Sequence, residues 1–365
     1  YSMESGHMQT KVVLVILIVQ LSVGLNCCSS RQENTVKRDV GPLAFKELIY
    51  PNLTDGRRNN RRVPVKVIYP EGKGPYPLII MSHGGMGTWD SHLYQAQHLA
   101  SHGYVVMCPE HVFSNNVKTK EHMANAKGFF RKKMAEALQR ITTDPQSVLE
   151  RPKDISYVID RAIEWNARQH PLKGLIDTTK IAVLGHSYGA YTTLVVCGAR
   201  PIVDYLQPPV DQRKGLYSDL SDDRVLVGVA MSPQGPGTSR FNKESYKTIN
   251  KPLLCFSGSL DAQLCFDGSK QPAEKRLEGY KLFPPGKKTM LWLENADHLS
   301  FADNPKAWLF PSKSRADVQR ITKTMTLLFC DIHLKGNSDA TKLFNTAHAN
   351  SLCGAVVTKV KWYEH

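Results

Sequence analysis

The sequence predicts an α/β protein: a doubly wound, mostly parallel sheet flanked by helices. Three observations carry this. Apolar strand-like runs alternate with helical patterns from Val63 to Leu334. Several of those runs are continuous Val/Ile/Leu stretches, as expected of strands covered on both faces. No internal repeat or low-complexity linker divides the chain. Taken in order, Phe45–Tyr50 reads as an edge strand within a polar, basic leader (residues 31–60). Strands follow at Val63–Tyr69, Leu78–Ser82, Tyr104–Pro109, Ile181–Gly185, Val225–Met231, Pro252–Ser257 and Thr289–Leu293. Helices are expected between them at Asp90–Ser101, Lys153–Trp165, Tyr188–Val196, Ser269–Leu282 and Ala316–Leu334. The longest departure, Asn116–Glu150, holds a charged helical insertion, Ala124–Leu138, placed to form a small lid or to flank a cleft. Residues 61–365 are expected to form one domain.

The chain has 365 residues, 41% hydrophobic and 22% charged, with a mean hydropathy of −0.33. These values exclude a polytopic membrane protein, a collagen-like chain and a largely disordered one. Forty-seven Lys+Arg against 33 Asp+Glu leave a net charge of +14. The basic residues fall in short runs, Arg57-Arg58, Arg61-Arg62, Arg131-Lys132-Lys133 and Lys287-Lys288, with no aromatic interleaving of the single-strand-binding kind. No helix-turn-helix or zinc-finger spacing occurs either, so no nucleic-acid partner is expected. A charge of this sign does favour adsorption to an anionic surface such as a membrane or a lipoprotein.

Met8–Ser30 has the proportions of a secretory targeting segment. Lys11 precedes the apolar run Val12–Val19, and Ser22 and Gly24 suit cleavage after Gly24. The run is shorter than the ~20 apolar residues that a membrane span needs. Residues 1–30 are therefore set apart as a gene-start remnant and signal peptide, and a secreted or periplasmic location is expected. A lipid anchor at Cys27 or Cys28 is the alternative. Export would place Cys108, Cys197, Cys255, Cys265, Cys330 and Cys353 in an oxidising compartment, where some disulfide pairing is expected. Six cysteines permit fifteen full pairings. Cys108 and Cys255 lie in apolar runs and read instead as buried small hydrophobes.

The chemistry centres on Gly185-His186-Ser187-Tyr188-Gly189, a G-x-S-x-G pattern between an apolar strand and a helix. A serine on so sharp a strand-to-helix turn is lifted out of the sheet edge, and the flanking glycines remove side chains that would collide there. The helix N-terminus then faces the reaction centre and favours an oxyanion. A serine hydroxyl needs a base oriented by a carboxylate, and in this fold order the acid follows the serine and the histidine comes last. Asp261 follows the strand ending at Ser257, and His298 lies in the loop after Thr289–Leu293. Asp267 is the reserve acid, and Asp297 adjoins His298 but would point elsewhere. His333 falls in a helical run, and His348 and His365 lie near the C-terminus with no strand before them. The turn His83-Gly84-Gly85-Met86-Gly87, after an early strand, can present a backbone N–H. The expected oxyanion donors are the N–H groups of Gly85 and Tyr188. His83 and His186 are expected to pack and hydrogen-bond beneath the site. Candidate pocket residues, from their positions at strand ends, are Met86, Trp89, Ser232 and Phe301, with Gln234 and Leu299 in the same turns.

These residues resemble the α/β-hydrolase superfamily. More narrowly, Ser82-His83-Gly84-Gly85, Gly185–Gly189, Ser259-Leu260-Asp261 and Ala296-Asp297-His298 are similar to the branch of dienelactone-hydrolase-like proteins and platelet-activating-factor acetylhydrolases. Arg151-Pro152-Lys153-Asp154 and Ile176-Asp177 add to that likeness. The resemblance runs from about Val63 to Cys330 and implies carboxylic-ester hydrolysis without metal or cofactor, on a small-molecule, lipid or polymer ester. True dienelactone hydrolases use a cysteine nucleophile, whereas Ser187 stands here, which favours an ordinary esterase or lipase-like acyl hydrolase. The elbow also resembles that of prolyl-oligopeptidase-type serine peptidases, although the segment before Val63 is too short for their propeller. A hydrolase-like binding protein without turnover is the alternative from another class.

Overall fold

The computed structural model describes residues 41–210, 215–237, 240–265, 269–303 and 311–365. The targeting segment, Cys27, Cys28 and Asp267 lie outside the described residues. The sheet has nine strands: β1 (Phe45–Tyr50), β2 (Val65–Pro70), β3 (Tyr76–Ser82), β4 (Val105–Pro109), β5 (Ile176–His186), β6 (Val225–Met231), β7 (Leu253–Leu260), β8 (Lys288–Asp297) and β9 (Val360–Glu364). Their spatial order is β1-β2-β4-β3-β5-β6-β7-β8-β9. Pairing is parallel from β4 through β8 and antiparallel at both edges. Because β1 pairs with β2, residues 41–60 belong with the sheet, and the sequence boundary at residue 61 moves forward.

Alternation along the strands feeds two cores, one on each face, because successive side chains of a strand point to opposite sides. On β3, Leu78 and Ile80 pack with α5 (Glu150–Ala167) and α6 (Tyr188–Val196). Ile79 and Met81 pack with α1 (Leu93–Ser101) and α8 (Arg315–Lys335) on the other face. This is why the central strands read as unbroken apolar runs rather than alternating ones. The parallel strands end together: Ser82 is level with Gly185, His186 with Met231, and Met231 with Phe256. One rim therefore collects the loops after β3, β5, β6, β7 and β8.

Several elements depart from the sequence expectation. The insertion is two helices rather than one, α2 (Asn116–Asn125) and α3 (Phe130–Thr143), because extended backbone at Ala126 and Phe129 and Gly128 at φ +108° break the run. A short α4 (Pro145–Val148) connects to α5. The helix expected at Ser269–Leu282 shrinks to α7 (Glu274–Tyr280), since Pro272 and a short hairpin at Lys270–Gln271 precede it. Strand β9 was not anticipated, because its Lys361 and Glu364 make it look like a polar tail. The disulfide expectation is corrected: the six described cysteines are unpaired, and Cys108, Cys197, Cys255 and Cys330 are buried. Burial pushes the thiols of Cys108 and Cys197 up to about 12, so they serve as small apolar side chains. Among the described residues no helix is long and apolar enough to cross a membrane.

Candidate active site

Strand β5 runs directly into Ser187, which takes φ 56° and ψ −115° before α6 begins at Tyr188. The tightness of this turn is set by its glycines. A Cβ on Gly189 would stand 1.9 Å from the Ser82 carbonyl oxygen, and one on Gly185 would stand 2.3 Å from Gly189. The turn is pinned by the Ser187 N–H donating to the Met231 carbonyl (2.9 Å) and by the Gln234 amide donating to the Ser187 carbonyl (2.7 Å).

Asp261 stands just past β7 and His298 just past β8. A register shift in β8 between Leu293 and Asp297, with Asn295 at φ 65°, re-aims the chain so that a short 3₁₀ turn (His298–Phe301) projects the imidazole over Ser187. His298 Nδ1 lies 2.7 Å from Asp261 Oδ1, and His298 Nε2 lies 2.9 Å from Ser187 Oγ. With Nδ1–H donating to the carboxylate, Nε2 is left to accept from the serine hydroxyl. Asp261 is fully buried, whereas the His298 side chain is 33% exposed. Burial by itself would raise the Asp261 carboxyl, yet the Arg276 guanidinium and His298 hold it below its ordinary value. Arg276 Nη2 is 3.1 Å from Asp261 Oδ1, and Ser257 Oγ donates to Asp261 Oδ2 at 2.9 Å.

The rival groups are engaged elsewhere. Asp297 caps the turn that carries His298, accepting from Leu299 N–H at 2.9 Å. His333 packs edge-on against Phe329 on α8, and His365 meets the Tyr280 carbonyl. His348 sits in a short helix, Thr346–Ser351, beside the edge strand β9 and does not line the cleft beside Ser187.

Two backbone amides border the serine. The first turn of a helix leaves its N–H groups without intrahelical partners, and that of Tyr188 opens α6. Gly84 and Gly85 abut the elbow, their added Cβ atoms falling 3.5 Å from Ser187 Cβ and 3.9 Å from Tyr188 Cβ. His83 Nε2 accepts from the His111 N–H (3.0 Å), so its Nδ1–H donates to the Gly84 carbonyl (2.6 Å) and holds the Gly84–Gly85 peptide. Arg151, fully buried, donates to the His83 carbonyl and, at 3.1 Å, to Ser82 Oγ. Burial, then the charge of Arg151, pushes the His83 imidazole well below its ordinary range and keeps it neutral.

A sequence model of the family "Platelet-activating factor acetylhydrolase, isoform II" matches residues 45–200, which include β1 through α6 and the elbow. The mostly parallel nine-stranded sheet with helices on both faces is the α/β-hydrolase fold, the fold of that family. Among proteins similar to this chain, Cutinase 2 of Thermobifida cellulosilytica is 24% identical over 137 residues, 37% of this chain and 39% of the relative. The platelet-activating factor acetylhydrolase of Cavia porcellus is 30% identical over 152 residues, 36% of this chain and 34% of the relative. A cutinase of Thermobifida fusca (strain YX) is 24% identical over 137 residues and matched over 32% of its length. The chain thus matches between 32 and 39% of these curated relatives' own lengths.

The cleft beside Ser187 encloses about 660 Å³. Met86 lines it, as do Gln234 and Leu299, but three sequence candidates do not. Ser232 and Phe301 are fully buried, and Trp89 packs against the core. Their places are corrected: Ser232 and Phe301 support the site from behind, and Trp89 turns to the core. Phe301 stacks on His186 (5.8 Å), which in turn backs His298 (4.8 Å), and the Ser232 carbonyl accepts from Arg276 (2.8 Å). The far wall of the cleft is instead α3, through Met134, Leu138 and Thr142. Arg276 was missed because it falls in a stretch that reads as a surface helix. Ser257, a polar residue closing an apolar strand, was the available hint to a carboxylate nearby. Among the described residues no group of three or more His, Cys, Asp or Glu is placed to hold a metal ion.

Proposed function

We propose that the protein is a serine carboxylic-ester hydrolase working through an acyl-enzyme. The observation that carries this reading is the continuous hydrogen-bonded series Asp261–His298–Ser187 opening into a 660 Å³ cleft beside two backbone amides. Ser187 Oγ attacks the ester carbonyl as His298 Nε2 takes its proton. Asp261 fixes the Nδ1–H tautomer and stabilises the imidazolium. The N–H groups of Gly85 and Tyr188 face the negative charge on the former carbonyl oxygen, where each such donor is worth about 10²–10³ in rate. The imidazolium then protonates the leaving alkoxide, and water, deprotonated by His298, releases the acid. The cutinase and acetylhydrolase relatives support an ester of the lipid or polymer kind as substrate. Export through Met8–Ser30 is part of the proposal and rests on sequence alone; N-terminal sequencing of protein recovered from the medium tests cleavage after Gly24.

Incubation with a fluorophosphonate is expected to label Ser187 and to abolish hydrolysis of p-nitrophenyl esters. Folded protein that takes no label would instead be a binding module. Aminoacyl amides cleaved faster than esters would make it a peptidase.

A further inference from the structure

The helical pair α2–α3 walls the cleft through Asn116, Met134, Leu138 and Thr142, and its turn carries Phe129 and Phe130. Phe129 is 91% and Phe130 57% exposed, and Val117, next to a cleft-lining residue, is 64% exposed. Large apolar side chains so open to water at the end of a helix are a cost that a folded chain normally avoids. Phe130, Met134 and Leu138 follow at four-residue steps and share one face of α3. The last two line the cleft, so an apolar track leads from beside Ser187 out to the exposed turn.

The charge on α2, α3 and the turn between them is mostly positive. Residues 116–143 hold seven Lys and Arg against two Glu. Both acids are taken up within the helices, Glu121 by Lys118 and Glu136 by Arg140. Lys120, Lys127 and Lys132 are exposed along the same segment. Aromatic side chains flanked in sequence by lysines have the composition of a segment that lies in the boundary between headgroups and acyl chains. Two copies of the chain meeting here would oppose like charges, which disfavours self-association.

We propose that the α2–α3 turn, led by Phe129 with Lys127 and Lys132, docks the protein on an anionic lipid surface and turns the cleft mouth toward that surface. Docking rests on the proposed ester hydrolysis only for what the cleft then does, and it is read without turnover. The full chain is to be co-sedimented with phosphatidylcholine vesicles with and without phosphatidylglycerol. Binding is expected to require phosphatidylglycerol and to weaken at least about tenfold in Phe129→Ser and in Lys127→Glu/Lys132→Glu, with hydrolysis of a water-soluble ester unchanged. Absence of binding would overturn the proposal. So would Phe129→Ser binding as tightly as the parent, which is basic adsorption only, or a dimer in solution that Phe129→Ser dissolves. Vesicle binding in a chain that hydrolyses no ester would sink the enzymatic reading and leave docking intact.

Discussion

Two places in the molecule carry the same chain of atoms. At the cleft, Asp261 Oδ1 meets His298 Nδ1 at 2.7 Å, and His298 Nε2 meets Ser187 Oγ at 2.9 Å. Beneath the β3 turn, Asp154 Oδ2 meets His111 Nδ1 at 2.9 Å, and His111 Nε2 meets Ser82 Oγ at 3.0 Å. An arginine holds each carboxylate: Arg276 at 3.1 Å in the first, Arg61 at 2.8 Å in the second. The difference is in the surroundings. Ser82, His111 and Asp154 are wholly buried, and Ser82 Oγ also accepts from Arg151. Ser187 and His298 line an open cleft, and of the two serines it is Ser187 that is raised on a turn with positive φ at the start of α6. On the proposed mechanism, interatomic distances within a Ser-His-Asp series do not by themselves make a reaction centre. Access, and charge stabilisation aimed at a place where substrate can sit, do.

Substitutions separate the two. Ser187→Ala is expected to lower ester hydrolysis on the order of 10⁴–10⁶-fold with the melting temperature kept. Ser82→Ala is expected to keep the rate within tenfold and to lose about 1–3 kcal/mol of stability, because Arg151 and His111 lose a buried partner; a rate loss matching that of Ser187→Ala would erase the distinction. Next in size, Asp261→Asn should cost about 10⁴ in kcat by releasing the wrong imidazole tautomer. Asp154→Asn should instead cost about 3–5 kcal/mol in a denaturant titration, because Arg61 and Arg58 are left facing a neutral group.

Two buried histidines, His111 of this set and His92 at the start of α1, also predict an acid dependence. Burial, then the charge of Arg151, pushes His111 down to about 3, and burial pushes His92 down to about 4. Each stays neutral in the folded protein while the unfolded chain takes up protons near pH 6.5. Their share of stability is present above about pH 6.5 and is lost on acidification toward those lower values, by up to about 1.4 kcal/mol per pH unit per histidine. Urea midpoints that stay level or rise from about pH 6.5 to 4.5 would contradict this burial. The smallest effect is expected at Ser147, whose hydroxyl donates to the Tyr188 hydroxyl at 3.0 Å. Ser147→Ala should cost about 1 kcal/mol and leave kcat unchanged, since the role proposed for Tyr188 falls to its backbone N–H.

The contrast also explains what could be read in advance. The elbow was legible because the serine and both glycines fall in one five-residue pattern between an apolar strand and a helix, although the clash that requires Gly189 is with Ser82 on the neighbouring strand. Asp261 and His298 were legible because each follows a strand whose apolar run marks its end. The pocket was less so: strand ends fix where a loop begins, not which of its side chains turn inward, and Ser232 and Phe301 turned in behind the site. The second Asp-His-Ser series could not be read at all. Asp154 and His111 lie 43 positions apart on a helix and a loop that only the packed sheet brings together.

The positive φ at Ser187 has a consequence for the chain's evolution. A side chain held in that region costs about 1–3 kcal/mol, whereas glycine adopts it freely. Ser187→Gly is therefore expected to melt above Ser187→Ala. Selection for durability alone would empty this position, and a hydroxyl persists there only while something outside the molecule rewards its use.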